Sequence, residues 1–126
     1  MRAVDTNVLV RLLARDESRQ TSIAESFVAK GAWVSHLVLM EAVWVLDSVY
    51  EIAREDIGTA IEMLLKHQHL ILQDAQVVGA ALASYRSRAK VAFSDCLILE
   101  VARKAGHTPL GTFDRDLAKL GGTERL

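Results

Sequence analysis

Apolar and polar positions alternate along this chain in two periods, and the period switches repeatedly. Short apolar runs at Ala3-Val4, Ala32 to Ser35, Leu70 to Leu72 and Leu110 to Phe113 suit strands. Between them, apolar residues recur at helical spacing. Asn7 to Leu13 reads as a helix. A second helix, capped by Ser18 or Thr21, stops at Gly31, a residue type that readily takes the left-handed backbone ending a helix. Leu37 to Tyr50 reads as a largely buried helix. Arg54 to Lys66 carries Ile57, Ile61, Leu64 and Leu65 at helical spacing, and Asp74 caps a helix running to about Ala89. Phe93 to Ala105 gathers Leu97, Ile98, Val101 and Ala102 on one face before Gly106. Asp114 to Leu120 adds a helical turn ahead of a short final strand.

Strands separated by helix-length segments require crossover connections. These connections are right-handed and produce a parallel sheet covered on both faces. The expected fold class is therefore α/β. With 126 residues and no repeat, low-complexity tract or linker, the expectation is a single domain over 1–126.

Composition narrows the function. Hydrophobic residues at 51% and charged residues at 25% support a packed core rather than a disordered chain. The longest apolar stretch, Leu37 to Leu46, is broken by Glu41 and is too short to span a bilayer. Asp5 and Asn7 interrupt any secretory leader at once. Cys96, the only cysteine, allows neither an internal disulfide nor a thiolate zinc site. A cytoplasmic location without membrane attachment is expected. The net charge of −1 is not the global footprint of a strong nucleic-acid binder. Local basic clusters and bound cations offset that objection.

The distinctive chemistry is acidic. In open α/β sheets ligands bind beyond the carboxyl ends of the strands. Asp5 follows the first strand, Asp114 follows the fourth, Asp95 opens the helix after Phe93, and Glu41 lies in the helix after the second strand. Val38, Leu39, Met40, Ala42, Val43, Val45 and Leu46 surround Glu41 in sequence, so a carboxylate buried there needs a partner. A metal is one partner; a salt bridge to Arg11 or Arg86 is another. Taken singly, Asp5 also fits a helix N-cap, Asp95 a favourable charge at a helix N-terminus, and Asp114 a turn. Together, four hard oxygen donors without a histidine or cysteine cluster favour Mg²⁺ or Mn²⁺ over zinc. His36, His67, His69 and His107 show no ligand spacing and read as structural or surface residues. Cys96 reads as a small buried hydrophobe.

Four segments carry a family resemblance: Val4-Asp5-Thr6-Asn7-Val8-Leu9, Ser35 ahead of Glu41, Phe93-Ser94-Asp95-Cys96-Leu97-Ile98, and Thr112-Phe113-Asp114-Arg115-Asp116-Leu117. In this order the chain resembles PIN-domain ribonucleases, specifically the VapC-type toxins of toxin–antitoxin pairs. The resemblance implies a three-layer α/β/α fold with a four- to five-stranded parallel sheet. It further implies that Asp5, Glu41, Asp95 and Asp114 bind metal and act in catalysis, with Asn7 and Thr112 as supporting polar residues. Endoribonuclease activity, products with a 5′-phosphate and a 3′-hydroxyl, a homodimer and a cognate antitoxin are implied as well. Arg11, Arg86, Arg88 and Lys90 are candidate contacts to RNA phosphates; the alternative for the 86–90 run is a solvated helix end. Two other functions compete: a PIN-fold module that binds RNA or protein without turnover, and a structure-specific DNA nuclease. Retention of all four acids argues against the first, and the lack of segments that would thread a flap argues against the second.

Overall fold

Three helices start where a side chain accepts hydrogen bonds from the helix's own first N–H groups. The computed structural model describes residues 1–126. Asp5 caps α1 (Thr6–Ala14) by accepting from Val8 N at 3.1 Å. Ser35 caps α3 (His36–Ser48) by accepting from Val38 N, also at 3.1 Å. The cap of α2 (Ser18–Val28) is Glu17, which accepts from Arg19 N and Gln20 N. The expectation that Ser18 or Thr21 caps α2 is therefore corrected. Ser18 is already helical, and the Thr21 hydroxyl is buried and donates back to Glu17 O at 2.8 Å. The longer Glu17 carboxylate reaches two orphan N–H groups at once, which satisfies the helix start without the hydroxyls. Gly31 beyond α2 has φ of +91°, a conformation open to glycine at no steric penalty.

The first compact unit, Met1–Ala75, also contains α4 (Arg54–Lys66) and three short strands: β1 (Arg2–Ala3), β2 (Ala32–Val34) and β3 (Leu70–Leu72). They form one parallel sheet in the order β1-β2-β3, with Trp33 opposite both Ala3 and Ile71. The side chains alternate with the pleat, so Ala32, Val34, Leu70 and Leu72 are buried while Trp33 and Ile71 point outward. Leu39, Ala42, Val43 and Leu46 form the buried stripe of α3, and Ile57, Ile61 and Leu64 that of α4. Helix α1 packs on both α2 and α3.

The second unit, Gln76–Leu126, takes in all but the first residue of α5 (Ala75–Ser87), then α6 (Phe93–Lys104), β4 (Leu110–Thr112), a 3-10 turn at Leu117–Lys119 and β5 (Thr123–Arg125). Strands β4 and β5 pair in parallel, Gly111 opposite Glu124. The strand count and parallel pairing follow the expectation, and the ladders are distributed as three strands plus two. Tyr85 and Phe93 meet edge to face, with ring centroids 5.8 Å apart. The buried stripe of α6 is Phe93, Cys96 and Leu97 with Leu99, whereas Ile98 and Val101 are exposed. That differs from the expected Leu97-Ile98-Val101-Ala102 face, because Cys96 behaves as an apolar core residue and shifts the stripe by one position. No helix is long and apolar enough to cross a membrane.

Leu39 is 1% exposed and Leu37, two residues away, is 79% exposed. Leu39→Ala is expected to destabilise the protein by about 2–5 kcal/mol in urea unfolding. Leu37→Ala is expected to change stability by no more than about 0.5 kcal/mol. Equal effects would show that α3 is rotated from the orientation described.

Candidate metal centre

Each unit assembles its own pair of acids. In the first unit, Asp5 lies one residue beyond Val4, which follows β1, and caps α1, while Glu41 sits in the middle of α3. Thr6 joins them. Its hydroxyl donates to Glu41 Oε1, bringing the carboxylate of α3 to the end of α1 where Asp5 lies. Thr6 lies within the Val4-to-Leu9 segment but carries no charge or periodic signal, so the sequence did not single it out. A hydroxyl directly after the strand-end acid is the clue that was available.

The inference that Glu41 is a buried charge does not hold, because Glu41 is exposed. Leu37, Glu41, Trp44 and Ser48 fall on one helical face, and Leu37 and Trp44 are themselves solvent-facing at 79% and 61%. Leu39, Ala42, Val43 and Leu46 are buried on the opposite side of α3, so the apolar residues that flank Glu41 in sequence do not enclose its carboxylate. Nor does Arg11 serve as its ionic partner. Its guanidinium donates to Gln20 Oε1 at 2.6 Å and to Tyr50 Oη at 3.1 Å, and pairs with Asp16 at 3.4 Å. The Tyr50 hydrogen bond is the main cause raising the Arg11 pKa above its ordinary value. Arg11 is thus tied to Gln20, Tyr50 and Asp16 within the unit. Asn7 is exposed near the start of α1 and lines a cavity of about 420 Å³ with Asp5, Arg11 and Phe27.

In the second unit, Asp95 occupies the first turn of α6, whose N-cap is Ala92 and lacks a side-chain hydrogen bond. A helix N-terminus alone favours an ionised carboxylate. Two stronger effects oppose it. Partial burial raises the Asp95 pKa above its ordinary value of 3.8, and the charge of Asp114 raises it further. Asp114 is fixed by a tight turn: its Oδ1 accepts from Asp116 N and Leu117 N, each at 2.8 Å, and its own N–H donates to Thr112 Oγ1 at 3.0 Å. Thr112, at the end of β4, thus orients the acid that follows.

Arg86 lies in the last turn of α5, and Arg88 and Lys90 lie in the following loop, all exposed. His36 Nε2, just beyond β2, is a buried nitrogen without a hydrogen-bond partner. His67 and His69 are engaged locally: His67 Nδ1 accepts from His69 N. Cys96 is fully buried.

The donor chemistry suits a hard divalent cation. All four acids present carboxylate oxygens, and Asp95 is held against a like charge in a partly dehydrated place, a repulsion that a cation reverses. Within either unit no three His, Cys, Asp or Glu side chains form a metal-holding group. Neither pair by itself supplies a full set of metal ligands.

Parallel strands joined by helices are consistent with a PIN domain, and the chain belongs to that family: residues 2–122 match it. Among curated proteins, it is 30% identical to a VapC ribonuclease of Aquifex aeolicus (strain VF5) over 126 residues, covering 96% of this chain and 93% of that protein. No solved structure matches the chain.

The Asp95 shift sets the sign of a stability test. An acid whose folded pKa lies above its unfolded value stabilises the fold most below the unfolded value, and that contribution is lost as pH rises through the folded value. In EDTA at neutral pH, Asp95→Asn should therefore melt at a higher temperature than the parent, and the gap should close as pH falls toward 3.8. A mutant less stable than the parent at neutral pH would identify Asp95 as a stabilising helix-terminal charge instead.

Proposed function

We propose that this chain is a divalent-metal-dependent endoribonuclease and the toxin component of a toxin–antitoxin pair. The observation carrying the proposal is the partly buried Asp95 carboxylate held against Asp114, an arrangement that is unfavourable without a cation. Family membership and the similarity to a VapC ribonuclease support it. Asp5, Glu41, Asp95 and Asp114 are the residues that would hold Mg²⁺ or Mn²⁺. Such a cation would supply a Lewis acid that makes water a competent nucleophile and neutralises charge on the phosphodiester.

The chain's own residues prepare for this chemistry. Thr6 orients Glu41, the α1 cap fixes Asp5, and Thr112 fixes the turn that presents Asp114. Arg86, Arg88 and Lys90 supply cations for backbone phosphates, which position RNA without reading its sequence. The active form is a homodimer with a cognate antitoxin as its inhibitor. Trp44, Leu37 and Trp33 provide exposed apolar area for self-association. Tyr50 does not, because its hydroxyl donates to Asp16 at 2.9 Å and accepts from Arg11.

Purified protein should cleave single-stranded RNA with Mg²⁺ or Mn²⁺, stop in EDTA, and leave 5′-phosphate ends. Asp95→Asn and Glu41→Gln should abolish cleavage. Thr6→Val should lower it by about 10–100-fold, the usual effect of removing a group that orients a metal ligand. Full cleavage in EDTA, or by the Asp95→Asn protein, would refute the metal mechanism. Light scattering at micromolar concentration should give at least twice the monomer mass, whereas a monomer throughout that range would exclude the dimer.

A further inference from the structure

The second unit contains a cavity of about 220 Å³ lined by Ser87, Arg88, Ala89, Lys90, Val91, Asp116 and Lys119. Its lining has three cations against one carboxylate, in a chain whose net charge is −1. Lys119 was not among the cations that stand out in the sequence. It lies far from the 86–90 run, and only the 3-10 turn brings it to the same wall. The Ser87 hydroxyl already donates to Ser84 O at 3.0 Å, so recognition of a ligand falls to the three cations.

Both walls lead directly to the acids of this unit. On one side, the loop of Arg88 and Lys90 closes with Val91 N donating to Arg88 O at 3.2 Å, and the buried Val91 leads into α6 and Asp95. On the other side, Asp116 N donates to Asp114 Oδ1 at 2.8 Å, and the Asp116 carboxylate holds the Lys119 ammonium at 3.6 Å. The turn that fixes Asp114 therefore also positions Lys119. The two walls of the cavity are thus continuous in the chain with the segments that carry Asp95 and Asp114.

We infer that the cavity formed by Arg88, Lys90 and Lys119 is a subsite for a backbone phosphate of RNA flanking the bond to be cut, with Asp116 as the internal counterion that an incoming phosphate displaces. The inference rests on the nuclease function proposed above and deepens it by naming Lys119 and Asp116. Lysine and arginine at such a site act through charge and hydrogen bonds to phosphate oxygens, so the subsite fixes register without selecting a base.

The test uses the full chain carrying Asp95→Asn and measures fluorescence anisotropy of a labelled single-stranded RNA across a salt series at fixed Mg²⁺. In this background Lys119→Gln and Lys90→Gln should each reduce the slope of log affinity against log salt by about 0.7, the loss of one phosphate contact on a single strand. Affinity should fall alike for RNAs of different sequence. Asp116→Asn removes the competing carboxylate and should tighten binding, a gain that misfolding does not produce. Lys30→Gln, in the first unit, should leave the slope unchanged. If the parent cleaves RNA while Lys119→Gln and Lys90→Gln keep the parental slope, the subsite is overturned and the nuclease function stands. If the parent cleaves no RNA with either metal, both fall. Orthophosphate binding that weakens in Lys119→Gln while RNA binding does not would assign the cavity to a free anion and overturn the RNA subsite.

Discussion

Parallel hydrogen bonding on both sides of β2 is the constraint from which the first acid pair follows. A strand paired in parallel with β1 and β3 cannot be reached by tight hairpins, so the chain must return through helices each time. The carboxyl ends of all three strands then share one edge of the sheet. Asp5, Ser35 and Gln73 follow those ends, and the edge is tied together there: Gln73 N donates to Val34 O at 2.8 Å, and the Gln73 side chain accepts from His36 N at 2.9 Å. Helix α3 starts at this edge, which puts Glu41 within reach of Thr6. The parallel pairing of β4 with β5 does the same for Asp114 in the second unit.

The acids carry two roles that pull in opposite directions. Asp5 satisfies one orphan N–H group of α1, that of Val8, and Asp114 satisfies two in its own turn. These hydrogen bonds hold the two carboxylates in place and stabilise the local fold. Asp95 has no comparable partner and is pressed by burial and by Asp114 toward its neutral form. One acid of the second unit is therefore anchored and its neighbour is electrostatically frustrated. The cation proposed above would relieve that frustration without disturbing the anchored acid.

Much of this architecture was legible in the sequence because its signals are local. The helix over Arg54–Lys66 and the strand at Leu70–Leu72 appear with the bounds expected from their spacing. Asp5 and Asp114 follow the short segments read as the first and fourth strands. What could not be read depends on rotation and on distant partners. The hydrophobic surroundings of Glu41 were plain, but which of them faced inward was not, since α3 carries apolar residues on its exposed face too. Glu17 as a cap was hidden behind Ser18 and Thr21, which are more usual residues at such a position. Arg11 looked like a surface cation because nothing local announces its hydrogen bond to Tyr50, and Lys119 looked unremarkable until the 3-10 turn placed it.

Helix α1 is latched at both ends. At its start, Thr6 grips Glu41 of α3; at its far end, Arg11 grips Tyr50, just beyond the end of the same helix, with Asp16 and Gln20 completing the clasp. Two latches on one rod remove its freedom to slide or swivel against its neighbour, and one latch alone would leave a pivot. Tyr50 thus governs the aim of Asp5 from the opposite end of α1. Drift in the family at position 50 would reach the acid through leverage rather than contact, so a residue remote from the chemistry shares in its precision.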